Sequence, residues 1–429
     1  MYQAPSARPG FAPGRPRGLP RPFWVLCSGT LINRLGTMVE PFLGLYLVGV
    51  RGLSVVVAGV VLAVYGMGSM ISQLLGGFLA DTLGRRATFT MGMLANGAAM
   101  IALGYVTAIA AVITTTFAFG VTIDLYRPAS QAMVADLIPS AERTRAYGLM
   151  FWAANLGFSI AMVFGGTLAQ AGYRWLFWAD ALSCTVFALL VWRAVPETRV
   201  GPAEHGTQAR AFREVLRDRV MIGFTLAMLG HAAVYQQAFT TLPLAMRADG
   251  LPPRAYGLAM AFNGITIVLV QPLISRWLGR HDHSMVIVVG NVLIGAGFTV
   301  TSLASSALTY MGAVFVWTLG EIAVAAVGGA IVAGLATAHL RGRYLGLFGA
   351  AWSTGALLAP LGGTPLLDLG APTLWLTCGA VAAVVSLSQL ALTPAIRCRT
   401  RPESPGFSPT QRPPFHPADP SIGSEALTR

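Results

Sequence analysis

Long apolar stretches alternate with short, arginine-bearing polar ones along most of the chain. Residues 87–123 and 284–320 contain no Asp, Glu, Arg, Lys or His, and neither do 52–80, 146–173 and 369–396. A helix crossing the hydrocarbon core needs about 20 apolar residues. Each of the two 37-residue charge-free runs therefore holds two spans joined by an uncharged turn. Lipid permits only helices or closed barrels, and the alternating pattern of barrel strands is absent. The pattern predicts twelve helical spans, six at 23–48, 54–79, 87–107, 109–136, 146–171 and 174–195 and six at 220–246, 255–277, 284–305, 308–336, 344–368 and 372–394. A buried helix of a soluble protein could explain one such stretch, but not so many in succession.

The polar segments divide the chain. Residues 1–22 form a Pro/Arg tail, 23–195 a first six-helix bundle, 196–219 a polar linker, 220–394 a second bundle, and 395–429 a Pro/Ser/Arg-rich tail expected to be disordered. The first apolar segment carries Arg34 and Glu40 and has no clear small-residue cleavage site, so it reads as a retained span rather than a signal peptide. Placing the N-terminus in the cytoplasm puts 23 of the 29 arginines in the two tails and the cytoplasmic loops, with four (Arg51, Arg174, Arg247, Arg254) in the outer loops. That asymmetry follows the positive-inside rule, so both termini are expected in the cytoplasm and the chain in the cell membrane.

The halves also repeat. Gly59, Gly66 and Gln73 match Gly257, Gly264 and Gln271 at a spacing of 198 residues. Arg143 and Arg145 match Arg341 and Arg343, and Gly148-Leu149 matches Gly346-Leu347, again 198 apart. Leu83-Gly84-Arg85 matches Leu278-Gly279-Arg280 at 195, and the two charge-free runs, 197 apart, end in Asp124 and Glu321. Because six spans separate them, the halves are parallel repeats, the arrangement of transporters whose site lies between halves near the midplane.

Composition narrows the function. Only 11% of residues are charged, against about 25% in an ordinary soluble protein. The net charge of +12 comes entirely from arginine, with no lysine anywhere, and its loop placement argues against nucleic acid as partner. Without lysine there is no phosphate-binding P-loop, so energy must come from an ion or solute gradient, with no cofactor. Cys27, Cys184, Cys378 and Cys398 lack metal-ligand spacing, and no metal site or enzymatic centre is expected.

Between spans 2 and 3 lies Gly77-Phe-Leu-Ala-Asp81-Thr-Leu-Gly84-Arg85-Arg86. Gly77 permits close helix approach, Gly84 a sharp turn, Arg85 and Arg86 hold the loop at the membrane surface, and Asp81 can accept hydrogen bonds from neighbouring helix starts or Arg. The segment resembles the loop signature of the major facilitator superfamily, and the resemblance covers about residues 20–395. Tyr126-Arg127-Pro128-Ala129-Ser130-Gln131, Ala135-Asp136-Leu137-Ile138-Pro139, and the Leu35-Gly36 and Glu40-Pro41 of span 1 are similar to segments of twelve-span drug:proton antiporters. One departure stands out: the Gly-Pro centre of their span 5 motif is replaced by Ala161-Met162, between Gly157 and Gly165-Gly166. The flanking glycines keep tight packing available, while the proline kink is lost.

Charges inside spans carry the candidate chemistry. An ionisable group in mid-span costs roughly 2.5–3.5 kcal/mol, so it faces a cavity or a partner. Five are counted: Arg34 and Glu40 in span 1, Asp124 and Arg127 in span 4, Glu321 in span 10. Asp124 and Arg127 share a helix face and can pair, whereas Arg34 and Glu40 are about 120° apart around a helix. Three acids against two bases leave one carboxyl able to carry a proton. Glu40, beside Pro41, is the first candidate, Glu321 the second and Asp124 the third; the alternative for each is a tether to Arg. Tyr126, Trp152, Trp317, Tyr235, Gln236 and Gln237 are candidate cavity residues, and His231 is expected to be packed and hydrogen-bonded. The expected function is secondary active transport by a monomer in the lipid bilayer. Proton-coupled export of small apolar or cationic compounds, drugs or secondary metabolites, is the first reading. Proton-coupled import of a sugar, organic acid or peptide is the alternative.

Overall fold

The structure, a computed structural model, describes residues 19–139, 142–198, 214–336 and 340–400, and within them it is helical. The N-terminal tail through residue 18, most of the linker and the C-terminal tail beyond residue 400 lie outside the described residues. The first half comprises α1 (Arg21–Gly36), α2 (Val39–Gly49), α3 (Val55–Thr82), α4 (Arg85–Tyr105), α5 (Ile109–Ile123), α6 (Tyr126–Leu137), α7 (Arg143–Ala171) and α8 (Arg174–Ala194). The second comprises α9 (Arg219–Tyr235), the short α10 (Gln237–Thr240) and α11 (Leu242–Ala248), then α12 (Pro253–Leu278), α13 (His283–Thr301), α14 (Ala307–Leu335), α15 (Arg341–Asp368) and α16 (Ala371–Thr400). Among the described residues, ten helices are long and apolar enough to cross a membrane, with α5 and α6 taken together. The last helix runs to Thr400, beyond the expected end at 394.

Three predicted spans are interrupted, and a proline stands just beyond each gap. A proline ring collides with the carbonyl four residues earlier and supplies no N–H. Pro41 is set against Thr37, where α1 gives way to α2, and Pro128 against Asp124, where α5 gives way to α6. Pro243 follows the gap between α10 and α11. Pro272, Pro360, Pro365 and Pro394 sit inside continuous helices, so proline alone does not cut a helix. At the gaps, polar side chains take up the backbone and its neighbours. Ser72 Oγ accepts the Asp124 N–H at 3.1 Å, and Asp180 Oδ2 accepts the Val39 N–H at 3.3 Å. Gln237 Oε1 accepts the Thr241 hydroxyl at 2.8 Å, while Gln237 Nε2 donates to the Ala359 carbonyl at 2.9 Å.

The two halves meet along two seams, α3 with α15 and α7 with α12. Both are lined by glycine. A Cβ on Gly66 would lie 2.9 Å from Leu357 Cα, one on Gly257 2.3 Å from the Met162 carbonyl, and one on Gly264 2.1 Å from Ser159 Oγ. Gly59 faces Thr364 and Gly166 faces Arg254 in the same way. The repeat-matched glycines Gly59, Gly66, Gly257 and Gly264 are thus the residues at which the halves touch. Further along the same helix faces, towards the arginine-rich end, Gly148 and Gly346 meet nothing within 4 Å. The halves touch along the seams at one end; at the other, the parted end, Gly148 and Gly346 meet no neighbour.

The loop between α3 and α4 shows why its glycine is needed. Gly84 has φ +101, and a Cβ there would also meet the Glu197 carboxylate. That carboxylate accepts the Arg85 N–H at 2.8 Å and the Arg86 N–H at 3.2 Å, capping α4. Arg85 pairs with Asp136 of α6, and the Arg86 guanidinium lies 4.7 Å from the Trp192 ring centroid. Glu197, not Asp81, therefore satisfies the helix start. Asp81 is exposed and has no ion-pair partner among the described residues, and Gly77 meets open space.

Candidate functional site

Between the halves, inside the closed end, lies a cavity of about 200 Å³ lined mostly by polar side chains. Arg34 and Asn33 come from α1, Glu40 from α2, Tyr65, Ser69 and Gln73 from α3, Asp124 from the α5–α6 gap, Tyr126 and Arg127 from the start of α6, and Asp180 from α8. The second half contributes Gln236, Trp352 and Ser353. Gln73 Nε2 donates to Ser353 Oγ at 3.0 Å, joining the two halves across the cavity wall.

The interruptions in the helices place these charges. Glu40 sits in the first turn of α2, where the break at Thr37–Met38 turns the chain. Tyr65 lines the same cavity. Among the described residues Glu40 has no arginine within ion-pair distance. Asp124 caps the end of α5, and Arg127 Nε lies 3.2 Å from its Oδ1. Ser69 Oγ donates to Asp124 Oδ2 at 3.1 Å. Arg34 shares the cavity with both acids.

Asp180 is absent from the five charges counted in the sequence. It lies inside the apolar segment 174–195, flanked by Trp178 and Leu182, so hydropathy alone marks it as a sixth intramembrane charge. Its carboxyl is 2% exposed and reaches the backbone start of α2. That this start exists, because span 1 is cut there, is not visible in the α8 sequence.

The remaining candidates separate. Tyr126 and Gln236 line the cavity. Trp152 continues the α7 seam towards the parted end, where it is 46% exposed. Trp317 does not line the cavity: it is fully buried, stacked on Phe298 at 5.7 Å, because α14 turns that face into the second half's core. Gln237 also turns inward and bridges the helix gap instead. Glu321 is held within the second half by Tyr235 Oη at 2.8 Å and Asn263 Nδ2 at 2.8 Å, with no arginine in ion-pair distance among the described residues. Tyr235 belongs to that network and to an aromatic cluster with Trp352. His231 is buried, its Nδ1 2.8 Å from Asn291 Oδ1. Trp352, missed in the sequence, connects this cluster to the cavity. No group of His, Cys, Asp or Glu among the described residues is arranged to hold a metal.

Comparison with known proteins places this geometry. The model of the Major Facilitator Superfamily matches residues 26–252 and 238–427. A Na(+), Li(+), K(+)/H(+) antiporter of Planococcus maritimus is 26% identical over 359 residues, 76% of this chain and 84% of that protein. The multidrug resistance protein MdtH of Escherichia coli O9:H4 (strain HS) is 23% identical over 355 residues, 81% of this chain and 87% of that protein. Among solved structures, the peptide transporter POT in complex with sulfate superposes with a TM-score of 0.74 at 16% identity, covering 88% of this chain and 95% of that one. At that identity the likeness is one of fold.

Proposed function

This chain belongs to the Major Facilitator Superfamily, and from that premise we propose that it is a proton-coupled antiporter that exports a small polar or cationic solute by alternating access. It is a secondary transporter, not an enzyme. The α1–α2 pair and the α9–α11 series, each too fragmented to qualify by length, serve as the remaining two spans, giving two parallel sets of six. The seams support that symmetry: α3–α15 and α7–α12 are exchanged by the 198-residue shift that relates the repeats. Arginine placement puts the parted end at the cytoplasm, so the cavity loads from inside.

The observation that carries the reading is the charge count on one small cavity. Glu40, Asp124 and Asp180 face Arg34 and Arg127, which leaves one negative charge in excess. An unneutralised charge in a low-dielectric interior is costly. Either a proton or a cation relieves it, and competition for the same charge produces exchange. At about 200 Å³ the cavity is smaller than the usual 300–1,000 Å³ of drug-sized sites, and its lining is polar rather than apolar. Both features favour the cationic over the apolar class. The alternative, import of an organic acid or peptide, draws on the two guanidiniums.

Everted membrane vesicles holding an acid interior test this. Adding Na+, K+, Li+ or a small organic cation should collapse the pH gradient only when the protein is present. If no added cation collapses it, the export reading is wrong; an organic acid or peptide preloaded in the vesicles that leaves together with protons supports the alternative.

A further inference from the structure

Asp180 has no part in the charge pairs described above, yet it is the group that closes the break in span 1. Its Oδ2 accepts the Val39 N–H at 3.3 Å. This is one of the unpaired donors at the start of α2, where the helix dipole favours negative charge. α8 is fitted closely to this point. Ser183 Oγ lies 3.4 Å from the Asn33 carbonyl, and a Cβ on Gly36 would lie 2.1 Å from Ser183 Oγ. The charged and titratable groups facing Asp180 are Arg34 from α1, Glu40 from α2, and Cys184 from its own helix, whose Sγ lies 3.9 Å from Oδ1. Asn33 and Asn96 add neutral amides, both directed at Cys184 Sγ.

We propose that Asp180 is a positioning residue: its ionised carboxylate docks the Glu40-bearing half-helix α2, and protonation of Asp180 releases the hinge at Thr37–Met38. The ionised form offers a negatively charged acceptor to the Val39 N–H at the helix start; the protonated form has lost that charge. Because α2 packs against α10 and α11 of the other half, freeing it loosens the end at which the halves are closed. The protonation event then acts on the backbone as well as on the solute site. This rests on the proton-coupled antiport reading, since it is protons entering the cavity that would reach Asp180.

The test uses the full-length chain, with Cys398 replaced by Ala and spin labels at Gly148→Cys and Gly346→Cys, one on each half at the parted end. Distances are measured from acidic to alkaline pH. The expected result is a pH-dependent shift that Asp180→Asn abolishes, Asp180→Glu restores, and Glu40→Gln retains in part. If Asp180→Asn follows the parent protein across the range, or Asp180→Glu behaves like Asp180→Asn, the proposal is overturned. A second measurement needs no variant. Hydrogen exchange at the Val39 amide, corrected for intrinsic rate, should lose roughly tenfold protection at acidic pH, the effect of losing a hydrogen bond to a charged group. Unchanged protection contradicts the proposal. Failure of the antiport reading is separately visible: the labels would move with pH while no solute collapses the gradient.

Discussion

Glu40 and Asp180 meet at one chain break, but the local sequence shows the break only for the first of them. Glu40 stands beside Pro41, so both its charge and its unusual backbone can be read from adjacent letters. Asp180 is legible as a charge in an apolar segment, but its contact with the start of α2 is a matter of packing that the letters do not show. Trp317 and Gln237 err in the opposite sense. Their chemistry suits a cavity, but the rotation of their helices turns them into the core. A residue at the arginine-rich edge gives a cleaner test of electrostatics. Asp218 caps α9 through the Val220 and Met221 N–H groups and binds Arg399 Nη1 at 2.7 Å and Tyr344 Oη at 2.8 Å. Partial burial pushes its carboxyl up, but the Arg399 and Tyr344 hydrogen bonds outweigh it and hold the group below the ordinary carboxylate value. A depressed value in the folded state means a contribution present above the unfolded value and lost as pH falls through the folded one. Thermal unfolding in detergent should therefore show a decline on acidification that Asp218→Asn flattens. At neutral pH that variant should lose about 1 kcal/mol, since the amide keeps the cap but not the ion pair.

At the scale of helices, hydropathy locates the apolar segments to within a few residues, because burial in lipid constrains composition over the whole length of a span. It does not show where a span is interrupted. Pro41 and Pro128 break their helices whereas Pro272 and Pro360 do not; at the first two, Asp180 and Ser72 from other helices take freed N–H groups. The glycines divide just as clearly by environment. Gly66 faces the Leu357 and Ala356 backbone at about 3 Å, which cannot yield, while Gly346 faces open space. In an exposed helix Gly→Ala stabilises by up to about 1 kcal/mol. Gly346→Ala should therefore raise or leave unchanged the melting temperature. Gly66→Ala should lower it, at about 1–3 kcal/mol for an overpacked contact. Equal effects from the two would contradict the seam geometry.

In the whole molecule, the glycines that meet at the seams were legible in the sequence, because Gly59, Gly66, Gly257 and Gly264 keep a 198-residue spacing. Which end of the bundle is parted was not legible, since the same sequence must serve both ends of the transport cycle. The cavity's polarity also escaped the linear reading: its lining is gathered from α1 to α6, α8, the α9–α10 junction and α15, one to three residues from each. Glu40, like Asp180 and Glu321, has no arginine clamp among the described residues, and the central claim is that its carboxyl carries the proton exchanged for solute. The decisive measurement is transport by purified protein in proteoliposomes, comparing the parent chain with Glu40→Gln, with and without an imposed pH gradient. The predicted result is solute accumulation against its gradient only in the parent protein, with solute–solute exchange surviving in Glu40→Gln. Accumulation by Glu40→Gln at the parent's level would contradict it.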